Sequence, residues 1–190
     1  MTAGSTSNKT ITECTPSELA EVVELVNAAY RGEGGKAGWT SEIGLVEGLR
    51  ITIESLRSDF TATDNLSIFL LREAGQLLAC VRLEGATAMN GQPACHIGML
   101  AVRPGMQDRG LGRVLLEHAE AAGRAGGAQI ARMTVVGVRV SLIAWYERRG
   151  YRRTGETQPF PYQDARFGQP ARPDLDFVVL EKSLGEVPGH

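Results

Sequence analysis

Apolar residues recur along this chain in two rhythms, which predict alternating strands and helices. Alternating or continuous apolar runs of strand length occupy residues 10–14, 66–73, 76–84, 95–102, 130–138, 151–157 and 175–184. Apolar stripes at a spacing of three and four predict helices over residues 16–30, 41–58, 110–125 and 140–149. The order β-α-α-β-β-β-α-β-α-β-β predicts an α/β (α+β) fold in which helices cover a mixed sheet.

Residues Asn90-Gly91, between two strand patterns, predict a hairpin with a two-residue loop. In that register Cys95 faces Ala86, and Cys80 lies about 20 Å further along the ladder, too far for a disulfide. None of the cysteine spacings matches a metal site, so no metal is expected. We therefore expect free thiols that are buried or half-buried, in a reducing cytoplasm.

Length and charge narrow the class of protein. A chain of 190 residues fits one domain, predicted here over residues 10–185 after a disordered leader at residues 1–9. The net charge is −2 and no basic stripe stands out, which argues against a nucleic-acid partner. No apolar run approaches the roughly 20 residues that span a bilayer, so no membrane association is expected.

The segment MQDRGLGR, residues 106–113, places two glycines where a strand passes into a helix. The first turn of a helix exposes unpaired N–H groups and the positive end of the helix dipole, which together favour an anion. Gly110 and Gly112 leave those amides uncovered, and Arg109 and Arg113 add positive charge. The segment predicts a pyrophosphate cradle, and an ordinary tight turn is the alternative. A Rossmann site requires a third glycine and is excluded.

Two linked motifs make the chain resemble the GNAT superfamily of N-acetyltransferases. Residues 100–116, LAVRPGMQDRGLGRVLL, resemble its acetyl-CoA-binding motif, and residues 139–151, RVSLIAWYERRGY, resemble its second signature. The element order resembles the GNAT fold as well. The resemblance implies a mixed, mostly antiparallel sheet of six to seven strands flanked by four helices, with acetyl-CoA as cosubstrate.

The resemblance implies roles for individual residues of both motifs. The strand end is expected to bind the pantetheine arm through backbone groups, and the amides of residues 107–113 are expected to bind the pyrophosphate. Tyr146 falls at the family's usual general acid, and Arg139 stands where many relatives have asparagine. The arginines of residues 148–153 are expected to be solvated at a helix end. The expected cofactor-binding residues are Leu100, Ala101, Val102, Gln107, Asp108, Arg109, Gly110, Leu111, Gly112, Arg113 and Arg139.

The general base stays open among three side chains and water. Glu84 lies on a strand and faces the apolar Ile97 in the predicted register, which marks either a site or a sheet edge. His96 is a candidate base because histidine as a residue type titrates near neutrality, and a structural histidine is the alternative. Glu156 either borders the acceptor pocket or ends a strand. The expected catalytic residues are therefore Tyr146, Glu84, His96 and Glu156.

The acceptor side is expected around the second predicted helix and the loop between the last two strands. Trp39 and Glu42 are candidate acceptor-binding residues, the alternative being a helix N-cap beside a packed tryptophan. The expected reaction is direct attack of a small-molecule primary amine on acetyl-CoA in a ternary complex, by a monomer or a homodimer. The alternative is a non-catalytic acyl-CoA-binding sensor or interaction module. Four acids suggest a cationic acceptor: Glu33, Glu42, Glu156 and Asp164.

Overall fold

The fold is built on a seven-stranded sheet. In the part of the chain that the structure describes, four α-helices and a two-stranded ribbon pack on this sheet. The structure is a computed structural model that describes residues 8–32, 41–62, 65–88, 90–164 and 168–185. The strands are β1 (Lys9–Glu13), β2 (Val46–Glu47), β3 (Leu66–Glu73), β4 (Gln76–Thr87), β5 (Pro93–Val102), β6 (Ile130–Val136), β7 (Arg152–Pro159), β8 (Gln169–Pro170) and β9 (Asp176–Ser183). The helices are α1 (Leu19–Arg31), α2 (Ile53–Ala62), α3 (Leu111–Ala125) and α4 (Val140–Glu147), with 3-10 turns at Pro16–Glu18 and Gln107–Arg109.

The large sheet has the strand order β1-β3-β4-β5-β6-β9-β7, and its one parallel pairing among the described residues joins β5 to β6. One core cluster joins α1 and α2 to the sheet, and a second cluster joins α3 and α4 to it. The predicted mixed, mostly antiparallel sheet with four helices is confirmed. Across the described ranges, no helix has both the length and the apolar character needed to cross a membrane.

The predicted second helix over residues 41–58 is wrong for a local reason. Gly44 and Gly48 adopt positive φ angles of 77° and 82°, which glycine tolerates and a continuous helix does not. Between them the chain forms β2, which pairs with β8 in a small ribbon. The helix starts later, where Thr52 Oγ1 accepts the N–H of Ser55 at 3.2 Å.

The β4–β5 hairpin is shifted by one residue from the predicted register. The N–H of Ala88 donates to the carbonyl of Gln92 at 3.0 Å, so the loop has three residues rather than two. Glu84 therefore lies opposite His96 and not opposite Ile97. Because side chains alternate between the faces of a sheet, a shift of one residue exchanges the neighbours of every side chain.

A bulge in β5 restores the predicted register further from the turn. Met99 has a φ of 50°, and beyond it Ala101 lies opposite Cys80. Nearer the turn Cys95 lies opposite Gly85, one residue from its predicted partner. The three cysteines are free and buried, as the sequence predicts.

Candidate active site

The large sheet opens between β5 and β6. Their parallel pairing joins residues 94–96 to residues 130–132 and ends there. Beyond that point, residues 97–100 and 133–136 line a cavity of about 690 Å³. Clefts of this size bind small molecules in many proteins.

The strand end expected at the pantetheine arm borders this cavity through Leu100. Its carbonyl accepts the hydroxyl of Tyr30 at 3.3 Å, and Tyr30 also lines the cavity. Burial raises the pKa of Tyr30 to about 12, so the phenol stays protonated. Ala101 and Val102 are fully buried and pair with β4. Nothing in the sequence pattern marked Tyr30 as a site residue, because it lies at the end of the predicted helix over residues 16–30.

Tyr146 lies in the wall of the same cavity and is 7% exposed. Burial raises the pKa of its phenol, and the nearby Tyr30 raises it further, so Tyr146 is protonated at neutral pH. Arg139, at the start of α4, lines this cavity and is 8% exposed. A protonated phenol in a cavity wall can donate a proton to a leaving group, although the raised pKa makes Tyr146 a weaker acid than a free phenol.

Glu84 and His96 form a pair across β4 and β5 in the cavity wall. Oε1 of Glu84 lies 3.2 Å from Nδ1 of His96, and its Oε2 accepts a hydrogen bond from Arg82 at 2.9 Å. Arg82 also binds Asp59 on α2 at 2.6 Å. His96 and Arg82 hold the pKa of Glu84 at about 2, against the opposing effect of burial. Glu84 is therefore an anion and a weak base at neutral pH.

The glycine turn lies at the N-terminus of α3, as predicted. Gly110 has a φ of 72°, a left-handed conformation that favours glycine. Leu111 and Gly112 form the first turn of α3, where amides have no partner within the helix. The amides of Arg109 and Arg113 donate to nearby carbonyls at 3.4 and 3.1 Å. The amides suited to an anion are therefore fewer than the seven expected from residues 107–113.

A second cavity of about 290 Å³ lies between this turn and α4. Burial lowers the pKa of Arg149, and the positive charges of Arg148 and Arg113 lower it further. Surplus positive charge beside a helix N-terminus fits a phosphate group. The residues that line this cavity are Gln107, Asp108, Gly110, Gly112, Arg113, Ser141, Leu142, Trp145, Arg148 and Arg149.

The expectation of a solvated side chain is corrected for Arg149, which is half-buried, whereas Arg148 is exposed as predicted although it lines this cavity. The guanidinium carbon of Arg149 lies 3.5 Å from the centroid of the Trp145 ring, and its Nη1 donates to the Trp145 carbonyl at 2.7 Å. Arginines at a helix C-terminus are normally solvated, so nothing in the local sequence marks this contact. Leu142 lines both cavities, which therefore adjoin at its side chain.

Two predicted site residues, Arg109 and Glu156, form ion pairs with other side chains. Nη2 of Arg109 lies 2.8 Å from the carboxylate of Glu73 on β3, and Arg109 does not line the second cavity. Glu156 lies 2.5 Å from Nη2 of Arg132 and does not line the larger cavity. Arg132 lowers the pKa of Glu156, which weakens it as a base. These ion pairs leave the side chain of Arg109 less available to a phosphate and make Glu156 a weaker candidate base, so both roles stay predictions.

The residues expected on the acceptor side do not all border the larger cavity. Glu42 lines the larger cavity, although its carboxylate pairs with Nη1 of Arg31 at 2.5 Å. Trp39 and Glu33 lie outside the described residues. Asp164 does not line the larger cavity. Among the described residues, none of the four acids expected to attract a cationic acceptor therefore presents an unpaired carboxylate to this cavity.

Known proteins resemble this chain in sequence and in fold. Residues 38–151 match the model of the acetyltransferase (GNAT) family. An N-acetyltransferase from Staphylococcus aureus Mu50 superposes with a TM-score of 0.70 at 16% identity, covering 94% of this chain and 99% of that one. A GNAT-family acetyltransferase from Streptococcus pneumoniae gives 0.61 at 19% identity, covering 94% and 100%.

A ribosomal-protein-alanine N-acetyltransferase from Brucella melitensis gives a TM-score of 0.67 at 17% identity, covering 92% of this chain and 99% of that one. At such identities the structural likeness shows the fold. No curated protein sequence matched the chain. Because the family model spans more than half of the sequence, the chain belongs to the acetyltransferase (GNAT) family.

Proposed function

We propose that this protein is an N-acetyltransferase that moves an acetyl group from acetyl-CoA to a primary amine of a small molecule by direct attack in a ternary complex. The observation that carries this proposal is the meeting of two cavities at Leu142. One cavity is cationic and lies at the glycine turn. The other holds a protonated phenol, Tyr146, and the pair Glu84 and His96.

The second cavity suits the pyrophosphate of acetyl-CoA. The first-turn amides of Leu111 and Gly112 would donate to the phosphate oxygens, and Arg113, Arg148 and Arg149 would balance their charge. The pantetheine arm would then pass Leu142 into the opening between β5 and β6. In that opening the backbone of β5 has no strand partner on the side of β6, since their pairing ends at residue 96.

The chemistry needs one proton acceptor and one proton donor. His96 accepts a proton from the ammonium group of the acceptor, directly or through water, and the carboxylate of Glu84 balances the charge on the ring. The free amine attacks the thioester carbonyl, and a backbone N–H of residues 100–102 stabilises the oxyanion. The nitrogen of the tetrahedral intermediate loses its second proton to water, the C–S bond breaks, and Tyr146 donates its proton to the leaving thiolate. The products are an N-acetyl amine, CoA and one proton, since His96 returns its proton to solvent and the phenolate of Tyr146 regains one.

The size of the larger cavity favours a small acceptor. About 690 Å³ is available for the acetylated arm and the acceptor together. The competing acceptor is the terminal amine of a protein, because a solved neighbour is named for ribosomal-protein alanine. The free and buried thiols fit a reducing cytoplasm as the place of the reaction.

The decisive experiment is release of CoA thiol from acetyl-CoA across a panel of small amines and intact proteins, with the product identified by mass spectrometry. We expect release with a subset of the small amines and an acetylated product for each. A protein that binds acetyl-CoA and never releases thiol with any amine is a non-catalytic module, and the proposal is then wrong. Release with intact proteins alone overturns the small-molecule acceptor.

A further inference from the structure

Arg50 is a cation in the wall of the larger cavity. It lines the same cavity as Tyr146 and His96. Among the described residues, no carboxylate lies within ion-pair distance of its guanidinium, whose carbon atom stands 5.4 Å from the centroid of the Tyr30 ring. An aromatic face orients a guanidinium and leaves its N–H groups able to donate.

The acids of the cavity are already paired with other residues. Glu42 pairs with Arg31 at 2.5 Å. Asp59 and Glu84 both bind Arg82, at 2.6 and 2.9 Å. No cavity acid is therefore left to neutralise Arg50 within the part of the chain that the structure describes, and its charge is available to a ligand.

The backbone at Arg50 is held in place by α1. Oδ1 of Asn27 accepts the N–H of Arg50 at 2.7 Å and that of Ile51 at 3.2 Å. Nδ2 of Asn27 donates to the carbonyl of Ile51 at 2.9 Å. Asn27 also precedes Tyr30 by about one helical turn, so one face of α1 fixes both the backbone of Arg50 and the ring beneath its guanidinium. A group fixed in advance loses less entropy when it binds a ligand.

We propose that the acceptor is an amino acid, an amine that carries a carboxylate, and that Arg50 binds that carboxylate while the amine lies on the side of His96. This inference rests on the proposed function and names the substrate class of the same site. A guanidinium donates two parallel hydrogen bonds to a carboxylate, which adds direction to the charge attraction. Two of the acids that would favour a purely cationic amine, Glu42 and Glu156, are paired with arginines, which weakens the argument for such an acceptor.

The first test compares acceptors that differ in the carboxylate alone. Glycine, β-alanine, 4-aminobutyrate and 5-aminopentanoate vary the distance from amine to carboxylate, and their decarboxylated alkylamines are the matched controls. A panel of α-amino acids is paired with the corresponding amino-acid amides. With the wild-type enzyme we expect at least one acid to exceed its matched control by about 10-fold or more in kcat/KM. Equal rates for acids and controls overturn the inference and leave the proposed function standing.

The second test uses Arg50→Gln, with Arg57→Gln on the exposed side of α2 as the matched control. For the preferred acid, Arg50→Gln should raise KM by about 10- to 100-fold, the worth of a hydrogen bond to a charged group. The KM for acetyl-CoA, the rate with the decarboxylated amine and the melting temperature should stay near those of the wild type. Arg50→Lys, which keeps the charge, should recover part of the loss.

An equal loss for the acid and its decarboxylated control in Arg50→Gln, or the same loss in Arg57→Gln, overturns the role of Arg50. A wild-type protein that releases no thiol with any amine overturns the proposed function and this inference together. The two failures are distinguishable because the first leaves turnover in place.

Discussion

At the scale of single residues, Tyr146 combines a buried ring with a hydroxyl at a cavity wall. Its ring stands in edge-to-face contact with Trp145 and Tyr151, with centroids 5.0 and 5.8 Å away. These contacts belong to the ring and not to the hydroxyl. The packing role and the chemical role of Tyr146 can therefore be separated by removing one oxygen atom.

Tyr146→Phe should lower kcat by at least 10-fold, since a positioned general acid contributes about 10²–10⁴ in rate. Acetyl-CoA affinity and melting temperature should stay nearly unchanged, because the ring contacts remain. The contrasting variant is Tyr151→Phe, whose hydroxyl donates to buried Glu120 at 3.0 Å. That variant should lose stability and keep its kcat. A wild-type rate in Tyr146→Phe would leave solvent as the proton donor.

The carboxylate of Glu84 makes the free energy of unfolding depend on pH. Its pKa is about 2 in the folded protein against an ordinary value of 4.5, so its contribution is present above about pH 4.5 and lost as the pH falls towards 2. Glu84→Gln should therefore be less stable than the wild type at pH 7, and the difference should shrink below pH 4.5. Urea unfolding at several pH values measures this, with exposed Glu24→Gln as the control. A difference that stays constant with pH would show that Glu84 does not act through its charge.

His96 should be needed for turnover. If it accepts the proton of the acceptor amine, His96→Gln should lower kcat by about 10²-fold or more. Acetyl-CoA affinity should change little, because His96 does not line the cavity proposed for the pyrophosphate. His118, which packs against Phe69 with ring centroids 4.7 Å apart, offers the control His118→Gln. A wild-type kcat in His96→Gln would assign the base to water.

At the scale of elements, the start of α3 and the end of α4 together form the walls of the second cavity. Both sides contribute positive charge, Arg113 from α3 and Arg148 and Arg149 from the end of α4. The left-handed Gly110 lets the chain enter α3 with its first amides unpaired within the helix, although Leu111 and Gly112 are buried. Leu142 on α4 then connects this surface to the larger cavity.

Gly112→Asp should abolish acetyl-CoA binding, because it adds bulk and a negative charge at the first turn of α3. Arg148→Gln should weaken binding more mildly and reduce its dependence on salt. The control is Arg153→Gln on β7, where Arg153 lies 3.2 Å from Glu147 and outside both cavities. Titration calorimetry with acetyl-CoA measures all three. Unchanged affinity in Gly112→Asp would place the phosphates elsewhere.

At the scale of the whole molecule, a ligand that bridges α3, α4 and the strands β5 and β6 should stabilise the fold. For a ligand at 100 times its Kd, linkage predicts about 2.7 kcal/mol and a clear rise in melting temperature. Differential scanning fluorimetry with acetyl-CoA tests this, with acetate at the same concentration as the control. No shift with acetyl-CoA would contradict the assignment of the two cavities.

The sequence by itself determined the features that depend only on residues close together in the chain. Apolar periodicity predicted all seven strands of the large sheet and three of the four helices, because each face of an element repeats every two or 3.6 residues. The glycine turn at the start of α3 was predicted for the same reason, since it needs residues 106–113 and nothing distant. The failure at residues 41–58 was also local, because Gly44 and Gly48 interrupt an apolar spacing that otherwise suits a helix.

The tertiary structure decided which distant groups meet. One additional loop residue in the β4–β5 hairpin moved Glu84 from Ile97 to His96, and so formed a pair that the apolar pattern could not indicate. Arg148 lines the second cavity and Glu156 pairs with Arg132. Both placements depend on how elements far apart in the chain pack together. Periodicity reports which face of an element is buried, whereas register, crossing and charge partners depend on loop length and on how the elements pack.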